Sequence, residues 1–191
     1  VTARQGRRRP APEPPEAGAA STDPEPDPEQ VARSIALRML TGAPRSRHQL
    51  AEAMARKDVP ADVAQRVLDR FGEVGLVDDA SYAEAYVRSA HEGRALGRRA
   101  LAMELRRRGV ADEDAVEALA QVGDQDEESA ARDLLRRRWR PGLEPQVQAR
   151  RMLAMLARKG YPSGMATRLV REMVDDRASA GWDPSDAQDV D

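Results

Sequence analysis

Three stretches of this chain are copies of one pattern, and their spacing leaves few folds open. LAEAMARKDVPADVAQRVL begins at Leu50, LAMELRRRGVADEDAVEAL at Leu101 and MLAMLARKGYPSGMATRLV at Met152, so the starts lie 51 residues apart both times. Apolar residues match position by position: Leu50, Leu101 and Met152; Met54, Leu105 and Leu156; Leu68, Leu119 and Val170. Ala64, Ala115 and Ala166 match as well, and Val59, Val110 and Tyr161 share a turn position. The basic pairs Arg56-Lys57, Arg107-Arg108 and Arg158-Lys159 precede the turn, and Asp58, Gly109 and Gly160 follow them. A basic helix end followed by Gly or Asp suits a left-handed residue closing a helix. A fixed period of this length is the mark of a repeat architecture, in which each unit buries its apolar face against its neighbours.

The spacing of apolar residues within a unit is helical, and no segment alternates as a strand would. Ile35, Met39 and Leu40 mark a first helix, Leu50, Ala53 and Met54 a second, and Val63, Val67, Leu68 and Phe71 a third. Gly42-Ala43-Pro44 breaks the chain after the first helix, Ser46 is placed to cap the second, and Gly75 stops the third. The first helices of the three units are expected over Ser34–Leu40, Asp79–His91 and Glu128–Trp139. Only 3% of the 191 residues are aromatic, so Leu, Val, Ala and Met must supply the core, as suits packed helices. The expected fold is therefore all-α: an elongated array of three tandem three-helix repeats, over 29–76, 77–125 and 126–175.

Two tails flank the array. Seven of the 13 prolines fall within residues 1–28, a composition that cannot sustain a helix, and this head is expected to be disordered. Residues 176–191 lack periodicity and read as a second, acidic disordered tail containing Trp182. The net charge of −2 conceals an array of about +4, because the tails carry most of the excess acid. No apolar run approaches the roughly 18 residues of a membrane span, and no apolar stretch follows the basic start Val1–Pro10, so neither a membrane segment nor a signal peptide is expected. The absence of cysteine removes thiolate chemistry and suits a reducing cytoplasm.

Catalytic constellations are missing. His48 and His91 stand in charged surroundings without metal-ligand spacing, and no Gly-rich loop leads into Lys-Ser or Lys-Thr. Asp78-Asp79 sits where a helix begins, and capping explains it better than a metal does. Neither a cofactor nor a metal is expected, and the chain reads as a binding protein rather than an enzyme. Arginine is the informative residue. Arg88, Arg94, Arg98, Arg99, Arg106, Arg107 and Arg108 face only Glu92 and Glu104 within the same stretch, and Arg136, Arg137, Arg138 and Arg140 form a second cluster. Guanidinium forks suit carboxylate or phosphate partners. The eight acids of residues 112–128 could neutralise part of that surface from within the fold. Phe71, Tyr82, Tyr86, Trp139 and Tyr161 fit a core better than a platform for stacking bases.

The stretch from Leu76 to Val110 resembles the signature segment of RecX regulatory proteins: Leu-x-Asp-Asp-x-x-aromatic-Ala, a basic helix, a Gly, then Glu-Leu-x-x-basic-Gly-hydrophobic. Leu76, Asp78, Asp79, Tyr82, Ala83, Gly97, Glu104, Leu105, Arg108, Gly109 and Val110 fill those places. Ser46–Leu50 resembles the family's turn into a helix, with Gln49 where Glu is usual, and Leu156–Tyr161 resembles its closing Leu-x-x-Arg-Gly-Phe. The resemblance covers roughly residues 31–174. It implies tandem three-helix repeats that bind the filament of the recombinase RecA and mainly inhibit its DNA-dependent ATPase, strand-exchange and coprotease activities, in DNA repair and the SOS response. It implies a cytoplasmic monomer without a catalytic residue, in some members touching single- or double-stranded DNA directly. Charge alone nominates Arg88, Arg94, Arg98, Arg99, Arg107, Arg108, Arg137 and Arg138 as contacts. The alternative reading is a stand-alone DNA-binding helical-repeat protein, with helix-turn-helix-like units and salt-sensitive affinity. A helical scaffold for another protein is a further alternative.

Overall fold

The computed structural model describes residues 27–140 and 142–180, so the proline-rich head up to residue 26 and the end of the acidic tail, with Trp182, lie outside the described residues. Among the described residues there are nine helices and no strand. Unit one comprises α1 (Pro28–Gly42), α2 (Arg47–Ala55) and α3 (Ala61–Glu73). Unit two comprises α4 (Asp79–Arg94), α5 (Arg98–Arg107) and α6 (Asp112–Ala120), and unit three α7 (Asp124–Arg138), α8 (Pro145–Arg158) and α9 (Ser163–Ala180). The helix pairs that pack extensively all lie within one unit. No helix among the described residues is long and apolar enough to cross a membrane.

The repeat register predicts the core closely. Leu50, Leu101 and Met152 are buried, as are Met54, Leu105 and Leu156 one turn later. Each such side chain removed from water contributes roughly 1.5–3 kcal/mol. The turns also match. In each unit the second helix closes with a paired hydrogen-bond signature. The N–H of Val59, Val110 or Tyr161 donates to the carbonyl five residues back, at 3.1–3.2 Å, and the preceding N–H donates three residues back, at 3.0–3.1 Å. That pattern requires a left-handed residue, and Asp58 (φ 57°), Gly109 (φ 70°) and Gly160 (φ 83°) supply it. Ser46 caps α2 in a full capping box with Gln49, whose amide performs the role Glu would.

Several helix boundaries differ from the sequence expectation, three of them by four residues or more. Helix α1 starts at Pro28, because Asp27 accepts the N–H of Glu29 and a proline suits the first helical position. Helix α7 starts at Asp124, ahead of the expected Glu128, because Asp124, Asp126 and Glu127 meet the positive end of its dipole. Helix α9 runs on to Ala180, so residues 176–180, expected to belong to the tail, are helical.

Successive units are joined by one device used twice. The acid that opens the first helix of a unit caps the second helix of the unit before it. Asp79 accepts the backbone N–H of Arg47 at 2.7 Å, and Glu127 accepts that of Arg98 at 2.8 Å. Beside it, the left-handed turn of the later unit abuts the start of the same helix. Ser46 donates to the carbonyl of Arg108 at 2.5 Å, and the N–H of Gly97 donates to that of Lys159 at 2.8 Å. The pair Asp78-Asp79, read as caps, thus divides: Asp78 caps its own helix through Ser81, and Asp79 caps its neighbour's.

Candidate functional site

The nominated arginines divide into two groups by what they touch. Arg94, Arg107 and Arg108 converge on Glu104, a side chain only 13% exposed. Arg94 holds both carboxylate oxygens, at 2.7 and 3.2 Å. Arg108 lies 3.3 Å from the same carboxylate, and its guanidinium covers the ring of Tyr86 at 4.1 Å. The Tyr86 hydroxyl also donates to Glu104. Tyr86 stacks on Tyr82, which is buried, as are Phe71 and Tyr161. These aromatics serve the core and the ion-pair network. Trp139 is half-buried and carries Arg177 over its ring at 5.5 Å.

Arg98 belongs to the joint between units two and three. Its Nε donates to the buried Glu127 at 2.9 Å, and its terminal nitrogen pairs with Asp124. Burial alone would lower its pKa, but the bonds to Asp124 and Glu127 outweigh that and raise it. Six of the eight nominated residues are exposed, Arg88, Arg94, Arg99, Arg107, Arg137 and Arg138, of which Arg94 and Arg107 also reach Glu104. Arg88, Arg99 and Arg138 have no carboxylate partner among the described residues. Arg88 and Arg137 both line a groove of about 510 Å³ between units two and three, whose lining also holds Glu92, Asp126 and Asp133.

The histidines perform local tasks. His48 lies 3.4 Å from Glu52 and packs under Gly109, and the Nδ1 of His91 lies 2.9 Å from the carbonyl of Leu96. On unit three, Glu128 gathers Arg168 and Arg132, which hold its carboxyl down to about 2 and tie α7 to α9.

Two features are not legible in charge density along the chain. The first is on unit two, where Met103 and Val116 are 66% and 69% exposed. Under the 51-residue period their counterparts are Glu52 and Gln65 in unit one, and Ala154 and Thr167 in unit three. The fold therefore does not demand apolar residues there. Arg99 and Arg107 lie one helical turn on either side of Met103 along α5. The second surface is a groove of about 380 Å³ on unit three, which brings Arg138 of α7 together with Arg151, Arg158 and Lys159 at α8. Both are marked in the repeat by one copy departing from the other two: unit two at Met103 and Val116, and unit three in carrying Ala154 and Met155 with no acid.

Comparison with known proteins places these features in a family. The models for the first, second and third three-helix domains of RecX match residues 32–71, 78–119 and 125–170. The regulatory protein RecX of Thermobifida fusca is 56% identical over 144 residues, covering 74% of this chain and 77% of that one. Its counterpart in Streptomyces coelicolor is 48% identical over 156 residues, covering 81% and 83%. The crystal structure of RecX from Lactobacillus salivarius shares the fold at a TM-score of 0.68 and 20% identity, over 78% of this chain and 97% of that one. A second crystal structure of a regulatory protein RecX is 25% identical with a TM-score of 0.65, over 78% and 72%. With all three of its helical units matched in order and relatives this similar over most of its length, the chain belongs to the RecX family of regulatory proteins.

Proposed function

We propose that this chain is a non-catalytic regulator that binds the RecA nucleoprotein filament and lowers its DNA-dependent ATPase, strand-exchange and coprotease activities. It acts in DNA repair and the SOS response, as a monomer in the cytoplasm. Family membership supports a regulatory role, since the relatives are named regulatory proteins. The observation that carries a protein partner is the face of unit two. There Met103 stands exposed between Arg99 and Arg107 on α5, at a position where the sister units have Glu52 and Ala154. An apolar centre rimmed by Arg99 and Arg107 has the composition of a protein-binding patch. Arg88 and Arg137 extend the contact surface across the next groove. Arg94, Arg98 and Arg108 act indirectly, by holding the units that present it.

The test is ATP hydrolysis by RecA on single-stranded DNA. Substoichiometric amounts of the chain lower the rate, and Met103→Glu combined with Arg99→Glu raises the concentration needed by about tenfold or more. An unchanged rate up to equimolar chain rejects the reading. An inhibited rate with full potency in the double variant rejects the assigned face.

A further inference from the structure

The cations at the second helix of each unit differ in what offsets them. Units one and two end that helix with a basic pair and supply an acid within it. Arg56 has Glu52 at 3.9 Å. Arg107 and Arg108 have Glu104 at 3.7 and 3.3 Å. The equivalent places in unit three hold Ala154 and Met155. Its groove therefore gathers Arg138, Arg151, Arg158 and Lys159 with no carboxylate in the lining. The three arginines are exposed and have no carboxylate partner among the described residues. Lys159 donates to the carbonyl of Arg94 at 2.6 Å, which keeps its ammonium beside them. Four positive groups in one concavity repel one another unless an anion offsets them. Leu134, Ala154 and Met155 add an apolar wall.

The course of the chain brings acid to this place. Near its end, α9 sets Arg177 over the ring of Trp139 at 5.5 Å, and Trp139 directly follows Arg138 of the groove. Helix α9 thus delivers the chain beside the groove. Residues 181–191 follow it, with Asp183, Asp186, Asp189, Asp191 and Trp182 and without a basic residue. Eleven residues span up to roughly 35 Å when extended. The stretch of α8 from Arg151 to Lys159 covers only about 12 Å.

We propose that residues 181–191 fold back onto this groove and cover it. The aspartates lie against Arg138, Arg151, Arg158 and Lys159, and the Trp182 ring lies on the apolar wall. Guanidinium forks suit carboxylates, and an indole buries a large apolar area beside them. Surface ion pairs are individually weak. A short tether raises the local concentration of the segment to the order of millimolar, which lets a few weak pairs hold it. The contact is an internal cover, so any other anion that enters the groove must first displace it. The inference does not depend on the partner proposed for the face of unit two.

The experiment reads Trp182 fluorescence in the full chain. Trp139→Phe leaves Trp182 as the only indole, since the chain has two, and circular dichroism melts verify folding. The difference between wild type and Trp182→Phe isolates the same signal without touching Trp139. Trp182 is expected to emit to the blue of a free indole and to resist quenching by acrylamide. Arg151→Gln/Arg158→Gln lowers the ratio of docked to free segment by about fivefold, read as a red shift and stronger quenching. Asp183→Asn/Asp186→Asn/Asp189→Asn does the same from the other side, and combining the two sets adds little, because both remove one contact. Salt at about 1 M, where the screening length is about 3 Å, also releases the ring. Arg56→Gln/Lys57→Gln, at the equivalent place in unit one, leaves the signal unchanged. A Trp182 as exposed as free indole in the unaltered chain overturns the proposal. So does a protected Trp182 that ignores salt and the unit-three variant. Equal release in the unit-one variant overturns it by reducing the effect to net charge, and release on dilution overturns it by assigning the segment to a second copy of the chain.

Discussion

The joint between units two and three is fastened more heavily than the joint between units one and two, although both are built on the same plan. At the first joint Asp79 accepts one backbone N–H, Ser46 donates one bond, and Gly109 rests on the side chain of His48. At the second, Glu127 takes both the backbone N–H and the Nε of Arg98, and Asp124 takes the rest of that guanidinium. The N–H of Gly97 and the ammonium of Lys159 each donate to a carbonyl across the boundary, and the Tyr161 hydroxyl donates to the carbonyl of Ala95 at 3.1 Å. Ala95 itself packs into the core of unit three. Its left-handed backbone (φ 47°), unusual for a residue with a Cβ, is held by these contacts. Units two and three are thus tied by more bonds than units one and two, and the first joint is expected to open at lower cost. Stability that varies along an array in this way is expected of repeat proteins, whose units couple only to neighbours.

The largest expected effect comes from the two left-handed glycines that touch across the joints, Gly160 and Gly109. A Cβ on Gly160 would meet the backbone nitrogen of Ala100 at 2.3 Å and its Cβ at 2.6 Å, with φ at +83°. A Cβ on Gly109 would meet Cβ and Cγ of His48 at 2.3 Å, with φ at +70°. Both alanine variants carry left-handed strain of about 1–2 kcal/mol. At the second joint the obstacle is backbone in a well-fastened interface; at the first, a half-exposed histidine on a joint able to give. Gly160→Ala is therefore expected to cost about 3 kcal/mol and Gly109→Ala about 2 kcal/mol, read from urea denaturation. Equal losses would break the comparison.

Next come the two acids. Glu127→Gln leaves Arg98 with one anionic partner and weakens a buried, charge-assisted pair of bonds, an expected loss of about 2 kcal/mol. Asp79→Asn is expected to cost about 1 kcal/mol or less. Burial is the largest influence on the Asp79 carboxyl and raises its pKa, while the N–H of Arg47 opposes it, so the charged form is already disfavoured there. Hydrogen exchange at the N-termini of α2 and α5 separates the two joints directly. A larger change at α2 in the Asp79 variant than at α5 in the Glu127 variant would reverse the ranking.

How much of this was legible in the sequence depends on whether a feature repeats. The helices, the buried Leu50, Leu101 and Met152 series and the left-handed turns recur at a fixed period, so each copy corroborates the others. The cap of Ser46 and the stop at Gly75 follow from local chemistry alone. The roles of Asp79 and Glu127 were hidden, because their bonds span 32 and 29 residues and the two acids stand 48 apart rather than 51. The connection from α7 to α8 is longer than that from α4 to α5, which shifts the register. Arg98 and Arg99 are adjacent and alike in sequence, yet one is tied to Glu127 and the other is exposed without a carboxylate partner among the described residues. Charge density cannot separate such neighbours; only the packing of the next unit does. The basic groove went unread for a related reason. Arg138 and Arg158 lie 20 positions apart and become neighbours only when α7 packs on α8.

The smallest effect isolates one hydroxyl of the tighter joint. Tyr161 stands where units one and two have Val59 and Val110, so the phenol is peculiar to the boundary between units two and three. Tyr161→Phe removes the bond to the carbonyl of Ala95 and keeps the ring in the core, an expected loss of about 1 kcal/mol at neutral pH. Burial, with Glu127 adding to it, pushes the phenol up to about 12, above the value of about 10 for an unfolded tyrosine. A pKa raised by folding stabilises fully below the unfolded value and loses that contribution as pH climbs through the folded one. Wild-type stability therefore declines between pH of about 10 and about 12 by more than that of the Phe variant. The difference between the two melting series cancels the titration of every lysine and of the other tyrosines. If the series stay parallel through that range, the phenol is not sealed in the joint, and the heavier fastening of units two and three rests on Glu127, Asp124, Gly97 and Lys159.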